Sequence, residues 1–347
     1  MSVPPSPLRS LANGHWFKLI FGASYQYLPA IEHLTRAYAL AGADCIDVSA
    51  DPAVVAVARS ALDSVPYWSD RLGLDPDEIG KPWLMVSLND GEDPHFRKAI
   101  FDPQVCPANC PQPCQKICPT QAIRFDDQWH GIQSDRCYGC GRCLPLCPWG
   151  YIETHAYEVS PQHLLPQLLP YGVDALELHT QVGHSEAFQA LWQDLQPTLP
   201  HLKAIAISCP FAPGVLDYLR HLHQYLTPRP AHLIWQADGR PMSGDIGDGT
   251  THKTIAFAQE LLASELPGFV QLAGGTNAYT VPKLRSLNLL RSSFRSTGVA
   301  GVAYGSYARK ELEPLLEHCP DDRGEAYCRW LRSEEHTSEL QSPYVIS

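Results

Sequence analysis

The chain has 347 residues and a formal net charge of −11, with 44% hydrophobic and 18% charged residues. A chain of this size can bury a large core without disulfides, and its negative charge, with no cluster of Lys or Arg, argues against a nucleic-acid partner. The apolar runs are too short to span a bilayer and the first ten residues lack a secretory signal, so the sequence predicts a cytoplasmic protein.

Eight short runs rich in β-branched or apolar residues occur along the chain, and stretches with helical periodicity separate most of them. This alternation is typical of βα units and a parallel sheet. The predicted strands are residues 17–24, 44–50, 83–88, 174–180, 203–209, 232–238, 269–276 and 299–306. The predicted helices are residues 29–41, 52–62, 185–195, 213–226, 251–264, 281–290 and 308–318.

The eight strands and their helices predict a (β/α)₈ barrel of the TIM type, a fold of roughly 250 residues. An open doubly wound sheet is the competing architecture, because patterning fixes the type of an element better than the topology. A cysteine-rich segment follows the third strand and predicts an inserted α+β domain of the two-cluster ferredoxin type. We therefore expect the barrel at residues 14–99 and 156–331, and the insert at residues 100–155.

The last residues need separate treatment. The run RSEEHTSELQS, residues 332–342, looks like the translation of a sequencing adapter. We therefore interpret residues 332–347 as an artefact, leave them out of the fold prediction, and expect the native C-terminus to be lost near Leu331. A natural polar tail is the alternative interpretation.

Eight cysteines lie in the insert and form two runs. Cys137, Cys140, Cys143 and Cys147, followed by Pro148, match the CxxCxxCxxxCP pattern of bacterial ferredoxins. In such a run three thiolates hold one cluster and the fourth reaches the other cluster. The sequence therefore predicts two iron–sulfur clusters of the 4Fe-4S type.

The first run, Cys106, Cys110, Cys114 and Cys118, has three residues instead of two in its leading intervals. Crossed ligation assigns Cys106, Cys110, Cys114 and Cys147 to the first cluster and Cys118, Cys137, Cys140 and Cys143 to the second. Three prolines in the widened run remove N–H donors, so a three-iron (3Fe-4S) form is compatible with the first site.

Zinc is the alternative metal, since CxxC pairs also form tetrahedral Zn²⁺ sites. Eight cysteines in two quartets, each closed by Cys-Pro, favour iron–sulfur clusters. The remaining cysteines, Cys45, Cys209, Cys319 and Cys328, are interpreted as packing residues.

Residues that follow the barrel strands are candidates for a further site, because active sites of this fold lie at the carboxyl ends of its strands. These candidates are Asp47, Asp51, Asn89, His179, Cys209, Asp238, Thr276, Asn277, Gly305 and Ser306. A phosphate-binding site is predicted at Gly274, Gly275, Thr276, Gly305 and Ser306, after the last two strands. Tight turns that need glycine are the alternative for these positions.

Catalytic groups are harder to identify. His179 could act as an acid or base with Asp238, or be a hydrogen-bonded structural residue. Lys18 and Lys203 are expected at the N-terminal strand ends, which argues against Schiff-base chemistry. The glycine-rich segment 239–251, with Asp245 and Asp248, matches neither a P-loop nor a calcium loop and is interpreted as a long loop of open role.

Four strings resemble the cyanobacterial light-dependent period (LdpA) family. They are FGASYQYLPAI at residues 21–31, AGADCIDVSADPAVV at 41–55, the widened cysteine run at 106–118 and ADGRPMSGDIGDGTT at 237–251. The resemblance covers essentially residues 14–331. It implies a redox-sensitive iron–sulfur protein that takes part in light input to the circadian clock and associates with circadian clock proteins.

Two functions remain open. In the first, the clusters report redox state and alter a partner-binding surface, so that the protein is a sensor without catalysis. In the second, it is an oxidoreductase whose barrel binds a phosphate-bearing cofactor or substrate, such as flavin, and receives electrons from the clusters. The sequence shows no recognisable set of acid, base and nucleophile, which favours the sensor.

Overall fold

The structure is a computed structural model and describes residues 6–75, 79–127, 129–156, 160–239, 249, 251–316 and 327. Several sequence predictions lie outside these residues, namely those on Asp245, Asp248, Cys319, Cys328 and residues 332–347. No helix among the described residues is long and apolar enough to cross a membrane.

The strands among the described residues are numbered in chain order. They are β1 (Trp16–Ile20), β2 (Cys45–Ser49), β3 (Trp83–Asn89), β4 (Arg97–Ile100), β5 (Ile123–Phe125), β6 (His130–Ile132), β7 (Glu153–Ala156), β8 (Ala175–His179), β9 (Ala204–Pro210), β10 (Leu233–Asp238), β11 (Phe269–Ala273) and β12 (Val299–Tyr304). The helices are α1 (Pro7–Asn13), α2 (Leu28–Leu40), α3 (Pro52–Asp63), α4 (Val65–Leu72), α5 (Pro113–Ile117), α6 (Pro161–Leu168), α7 (Ser185–Leu195), α8 (Val215–Tyr225), α9 (Thr251–Ala263), α10 (Thr280–Ser286) and α11 (Ser306–Leu316).

Eight parallel strands close into a barrel in the order β1, β2, β3, β8, β9, β10, β11, β12. The closure is the pairing of β1 with β12, in which Trp16 is aligned with Gly301. The (β/α)₈ prediction is therefore confirmed, and the open doubly wound sheet is wrong because an open sheet would leave β1 or β12 at an edge. Helices α1, α4 and α6 were not predicted.

The two faces of the barrel strands bury different residues. Outward-facing side chains pack against the helices in one large apolar core. Inside, the N-terminal half is filled by apolar side chains around Trp16 and Trp83, whose rings meet edge to face with centroids 5.6 Å apart. Leu11 of α1 is fully buried against this group. One end of the barrel is thus plugged, and only the carboxyl ends of the strands form a mouth.

The cysteine-rich segment lies between β3 and α6. Its ends are held together by the antiparallel pair β4 and β7, with Arg97 opposite Ala156, and β5 and β6 form a second antiparallel pair inside it. The predicted insert, residues 100–155, begins at the last residue of β4 and ends within β7. The division into domains stays a prediction.

Candidate metal centre and barrel mouth

Cysteines from both runs gather into a first set of four. The Cys143 thiol interacts electrostatically with Cys140, Cys137 and Cys118, and Cys140 interacts with Cys118 and Cys137. Burial and then the repulsion of the neighbouring thiolates raise the pKa of Cys143 to about 12. Four thiolates can be ionised together here only when cations offset their charge. We call these residues the second quartet.

The other four cysteines form the first quartet. The Cys106 thiol interacts with those of Cys110 and Cys147, and Cys114 interacts with the same two. The eight sulfurs are therefore grouped in the crossed pattern expected from the sequence. The role of each cysteine as a ligand stays a prediction.

Backbone N–H groups point at sulfurs of the second quartet. Ala122 donates to Cys118 Sγ at 3.2 Å, and Ala99 of β4 donates to Cys137 Sγ at 3.4 Å. Such N–H groups stabilise the negative charge of a thiolate-bound cluster.

Cys147 of the first quartet has a denser set of donors. Tyr151 donates its N–H to Cys147 Sγ at 3.4 Å. Burial would raise the pKa of Cys147, but the N–H groups of Tyr151, Trp149, Ile152 and Gly150 outweigh burial and lower it. The sulfur is prepared for the thiolate form, which is the form that binds metal.

The cysteine loop of the second quartet needs a glycine beside β4. Gly139 has a φ of 73°, and a Cβ at this position would lie 2.1 Å from the carbonyl oxygen of Arg97. Gly141 has the same φ, but the nearest atom to its Cβ would be Arg97 Nη2 at 3.7 Å. Only glycine at position 139 lets the loop approach the strand this closely.

Tyr138 joins this loop to the barrel. The residue is 6% exposed and packs with the main barrel core. The Arg309 guanidinium lies 4.4 Å from the centre of its ring and donates to the backbone carbonyls of Ile20, at 2.9 Å, and Phe21. The second quartet is therefore seated at the mouth, beside the end of β1.

The spacing of the sulfurs bears on the choice of metal. A tetrahedral zinc ion with Zn–S bonds of about 2.3 Å needs sulfurs about 3.8 Å apart. All eight cysteines of the insert are described, and no three of their sulfurs lie within 4.8 Å of one another. The cysteines therefore do not form a ready-made tetrahedral zinc site.

The half of the barrel interior nearer the mouth is polar. Lys18 Nζ lies 2.9 Å from Asp47 Oδ2 and also contacts Glu177 Oε2, and all three side chains are at most 2% exposed. Gln236 Nε2 donates to Glu177 Oε1 at 2.7 Å. The Lys18 ammonium is thus held between two carboxylates at the centre of the barrel.

The expectation for Lys18 needs correction. The strand begins at Trp16, so Lys18 is its central residue and shares the inward face with Trp16. Burial would lower its pKa, but the charges of Asp47 and Glu177 outweigh burial and raise it. A permanently charged amine is not a nucleophile. The charge of Lys18, and not a position at the strand end, is therefore what argues against Schiff-base chemistry.

His179 lies between this interior network and the loop after β3. Its Nε2 is 3.0 Å from Glu177 Oε1, and its Nδ1 is 3.9 Å from Asp93 Oδ2. Burial would lower the pKa of His179, but the hydrogen bond and charge of Glu177 and the charge of Asp93 raise it to about 9. Asp238, its predicted partner, instead faces His95, with 3.9 Å between Oδ2 and Nε2.

Three residues of this site were not predicted from the sequence, namely Asp93, His95 and Glu177. Glu177 stands two residues before His179, so strand periodicity alone places both side chains on the inward face. Asp93 and His95 follow β3 in the loop that leads to the insert. Their position after the carboxyl end of a barrel strand could have marked them as candidates for the site.

The predicted phosphate-binding residues lie together at the ends of β11 and β12. Gly274 and Gly275 have φ values of 63° and 88°, and Thr276 Oγ1 donates to the Ala303 carbonyl at 2.7 Å. Ser306 begins α11 directly after Gly305, next to the Tyr138 hydroxyl. The binding of phosphate here stays a prediction.

Other candidates have local roles. Asp51 caps α3 by accepting the N–H groups of Ala53 and Val54, and Cys209 is buried, which raises its pKa. Asn277 Oδ1 accepts the Tyr279 N–H at 3.0 Å.

Family comparisons agree with this geometry. The model described as "Light dependent period A C-terminal domain" matches residues 167–342, and the "LdpA Fe-S cluster-binding domain" matches residues 106–158. The protein "Light dependent period A" of Synechococcus elongatus is 57% identical over 311 residues, covering 90% of this chain and 85% of that protein. The chain belongs to the light dependent period A family. The resemblance in the sequence is confirmed, and with it an iron–sulfur-binding segment.

A ferredoxin-type relative matches a shorter part of the chain. "Uncharacterized ferredoxin MJ0265" of Methanocaldococcus jannaschii is 40% identical over 60 residues, 17% of this chain and 36% of that protein. A truncated 3-deoxy-D-arabino-heptulosonate 7-phosphate synthase from Thermotoga maritima aligns with a TM-score of 0.44 and 10% identity, over 95% of this chain and 86% of that one.

Proposed function

We propose that the protein is a redox sensor that conveys cellular redox state, and through it light, to the circadian clock by binding clock proteins. The name of the Synechococcus elongatus relative supports the link to a light-dependent period. The first and second quartets would each hold a 4Fe-4S cluster, with a 3Fe-4S form compatible with the first site. Such clusters, when bound, accept and release single electrons.

The observation that carries this proposal is the contact between Cys147 and an exposed aromatic pair. Tyr151 donates its N–H to Cys147 Sγ, and its ring stacks on that of Trp149 with centroids 6.5 Å apart. The two residues are 39% and 40% exposed. A change of charge at the first quartet would alter these N–H···S bonds and so the position of the aromatic pair.

The surface around the insert is suited to a protein partner. Large apolar side chains at least 39% exposed occur repeatedly in it, and exposed aromatic residues are enriched at protein interfaces. They are Ile100, Val105, Trp129, Leu146, Trp149 and Tyr151.

The two quartets differ in how firmly they are held. The second quartet is tied to the barrel through Tyr138 and to β4 through Gly139, whereas Cys106 and Cys110 lie in the widened run with its prolines. A loop with more residues between ligands holds them less rigidly, and missing N–H donors leave sulfurs less stabilised. We therefore assign the sensing role to the first quartet.

Spectroscopy tests this assignment. Anaerobically purified wild type, Cys110→Ser and Cys140→Ser would be titrated with oxygen and followed by electron paramagnetic resonance and iron analysis. The signal that wild type loses first should be the one that Cys110→Ser lacks. If Cys140→Ser lacks it instead, the sensing role belongs to the second quartet.

Partner capture tests the signalling surface. Trp149→Ala should weaken redox-dependent capture of clock proteins of the same organism, while iron content stays unchanged. Tyr171→Ala is a matched control, because Tyr171 is 39% exposed but lies outside the insert, before the N-terminal end of β8. If the two variants capture the same amount of partner under oxidising conditions, and again under reducing conditions, the aromatic pair does not carry the redox-dependent contact.

An iron–sulfur oxidoreductase is the second candidate. One observation favours it, namely that Tyr138, beside Cys140, lies against Ser306 of the predicted phosphate site. The second quartet would then be placed to exchange electrons with flavin or another phosphate-bearing group at Gly274, Gly275, Thr276, Gly305 and Ser306. A visible spectrum of anaerobically purified protein decides, because bound flavin would support the enzyme.

A further inference from the structure

Asp93, His95 and His179 bring three metal-binding groups together at the barrel mouth. One ligand atom from each lies within 4.8 Å of the other two, and within the described ranges this is the one group with that geometry. Two imidazoles and one carboxylate form a ligand set that first-row transition metals occupy in enzymes. We infer that these residues bind one divalent first-row transition-metal ion, separate from the cysteine quartets.

The hydrogen bonds around His179 and Asp93 leave a ligand atom on each. His179 Nε2 is 3.0 Å from Glu177 Oε1, which leaves Nδ1. Asp93 Oδ1 accepts the backbone N–H of His95 and lies 2.7 Å from His95 Nδ1, which leaves Oδ2. An ion bound by Asp93 and His95 Nδ1 would take the place of the proton between them. A carboxylate that orients an imidazole, as Glu177 orients His179, is the usual outer partner of metal-bound histidine.

Asp93 Oδ2 and His179 Nδ1 are spaced for an ion and too far apart for a hydrogen bond. They lie 3.9 Å from each other. A hydrogen bond between such atoms needs about 2.7–3.2 Å. An ion with bonds of about 2.0–2.2 Å to nitrogen and oxygen can bridge this gap.

Buried carboxylates surround the three residues. The side chains of Asp47 and Glu177 are 2% exposed, and those of Asp238 and Asp93 are 7% and 12% exposed. The Lys18 ammonium contacts two of them, Asp47 and Glu177. A cleft lined by carboxylates attracts cations rather than anions.

Asn89 gives a second, independent observation. Its Oδ1 is buried without a hydrogen-bond partner, and the residue is 6% exposed. Asn89 is aligned with His179 on the neighbouring strand, on the same inward face as Ser87, which donates to Asp47. A carboxamide oxygen in this place can accept from a water on the ion.

The loop that carries two of the ligands is held in position. Ser24 Oγ donates to the His95 carbonyl, Asp93 caps the short 3₁₀ helix Pro94–Phe96, and the Phe96 ring meets His179 edge to face with centroids 5.3 Å apart. The ligands therefore keep their arrangement before an ion binds, which reduces the entropic cost of binding.

Zinc binding by the cluster-loaded full chain tests this site. Anaerobic protein, cleared of loose metal with a mild chelator while its visible absorption stays constant, would be titrated with Zn²⁺ by calorimetry. Wild type should bind one ion per chain, and His95→Gln and Asp93→Asn should bind more than about 100-fold more weakly, since even an outer partner is worth 10–100-fold. His184→Gln is the control, because His184 pairs with Asp90 at 2.9 Å outside the three-ligand set.

Three outcomes would overturn the site. They are absence of zinc binding by wild type, equal binding by wild type and His95→Gln, and an X-ray absorption spectrum of the bound zinc that shows sulfur ligands. The last would place the ion at cysteines. Circular dichroism and unchanged cluster absorption show that each variant is folded, so weaker binding by a folded His95→Gln supports the site.

Discussion

Gly139 and Gly141 offer a matched test of how the cysteine loop packs against β4. They flank Cys140 on either side, and both have a φ of 73°. Alanine at either position therefore has the same left-handed backbone strain of about 1–2 kcal/mol. Only at position 139 would the new Cβ lie 2.1 Å from the Arg97 carbonyl oxygen. Overpacking of this kind adds about 1–3 kcal/mol.

We expect Gly139→Ala to destabilise the protein more than Gly141→Ala, by the overpacking cost of about 1–3 kcal/mol. The extra 1–3 kcal/mol corresponds to roughly 5- to 160-fold faster loss of the clusters at a fixed urea concentration, because strain relieved on opening accelerates unfolding. A rate is the proper measure, since cofactor loss makes unfolding irreversible.

Anaerobic bleaching of the visible absorption measures this rate, with Gly141→Ala as the control. The entropy that alanine removes from the unfolded chain is the same for both variants and cancels in the comparison. If both variants bleach at the same rate, β4 can shift to relieve the clash at little cost. The close approach of Gly139 to Arg97 would then not fix the second quartet.

Two further substitutions test the barrel. Burial raises the pKa of Asp44 to about 8, although the Phe17 N–H donates to its carboxylate. Between about pH 4 and 8 the native state therefore holds a proton that the unfolded state has lost. The free energy of unfolding should fall by up to about 1.4 kcal/mol per pH unit as the pH rises through this range. Asp44→Asn should remove this dependence, as the rates of urea-induced bleaching at several pH values would show, and an unchanged dependence on pH would contradict the shift. Lys18→Met should destabilise the fold by about 3–5 kcal/mol because Asp47 and Glu177 lose their counter-charge, whereas Lys18→Met with Glu177→Gln should recover part of this loss. A double variant that bleaches as fast as Lys18→Met would contradict the ion-pair account.

The barrel could be predicted because its signal is local. Each of the eight predicted strand segments overlaps a barrel strand, and the predicted helix at residues 185–195 matches α7 (Ser185–Leu195) residue for residue. Strands buried on both faces are continuous apolar runs, and helices have a different period. Helices α4 and α6 were missed for local reasons too, since α4 follows α3 after one residue and α6 contains Pro166.

The polar interior could not be predicted in the same way. Glu177 and Lys18 come from strands far apart in sequence, and only barrel closure puts them in contact. Asp93 and His95 owe their place to a loop whose path depends on the insert. The two cysteine quartets follow from a local pattern, because the bacterial ferredoxin run is recognisable from its spacing, and the role of each cysteine as a ligand stays a prediction.

The seating of the insert gives the two quartets different surroundings. Tyr138 packs into the barrel core beside the second quartet, and Gly139 seats the same loop against Arg97 of β4. Movement there would therefore disturb packed core residues. Cys147 of the first quartet is linked instead to Tyr151 and its exposed stacking partner, which can move without opening a core. We infer that a sensor built on this fold reports through the first quartet and keeps the second as its anchor to the barrel. Electrons that reach the barrel mouth would come from the second quartet, and a change read by a partner would come from the first.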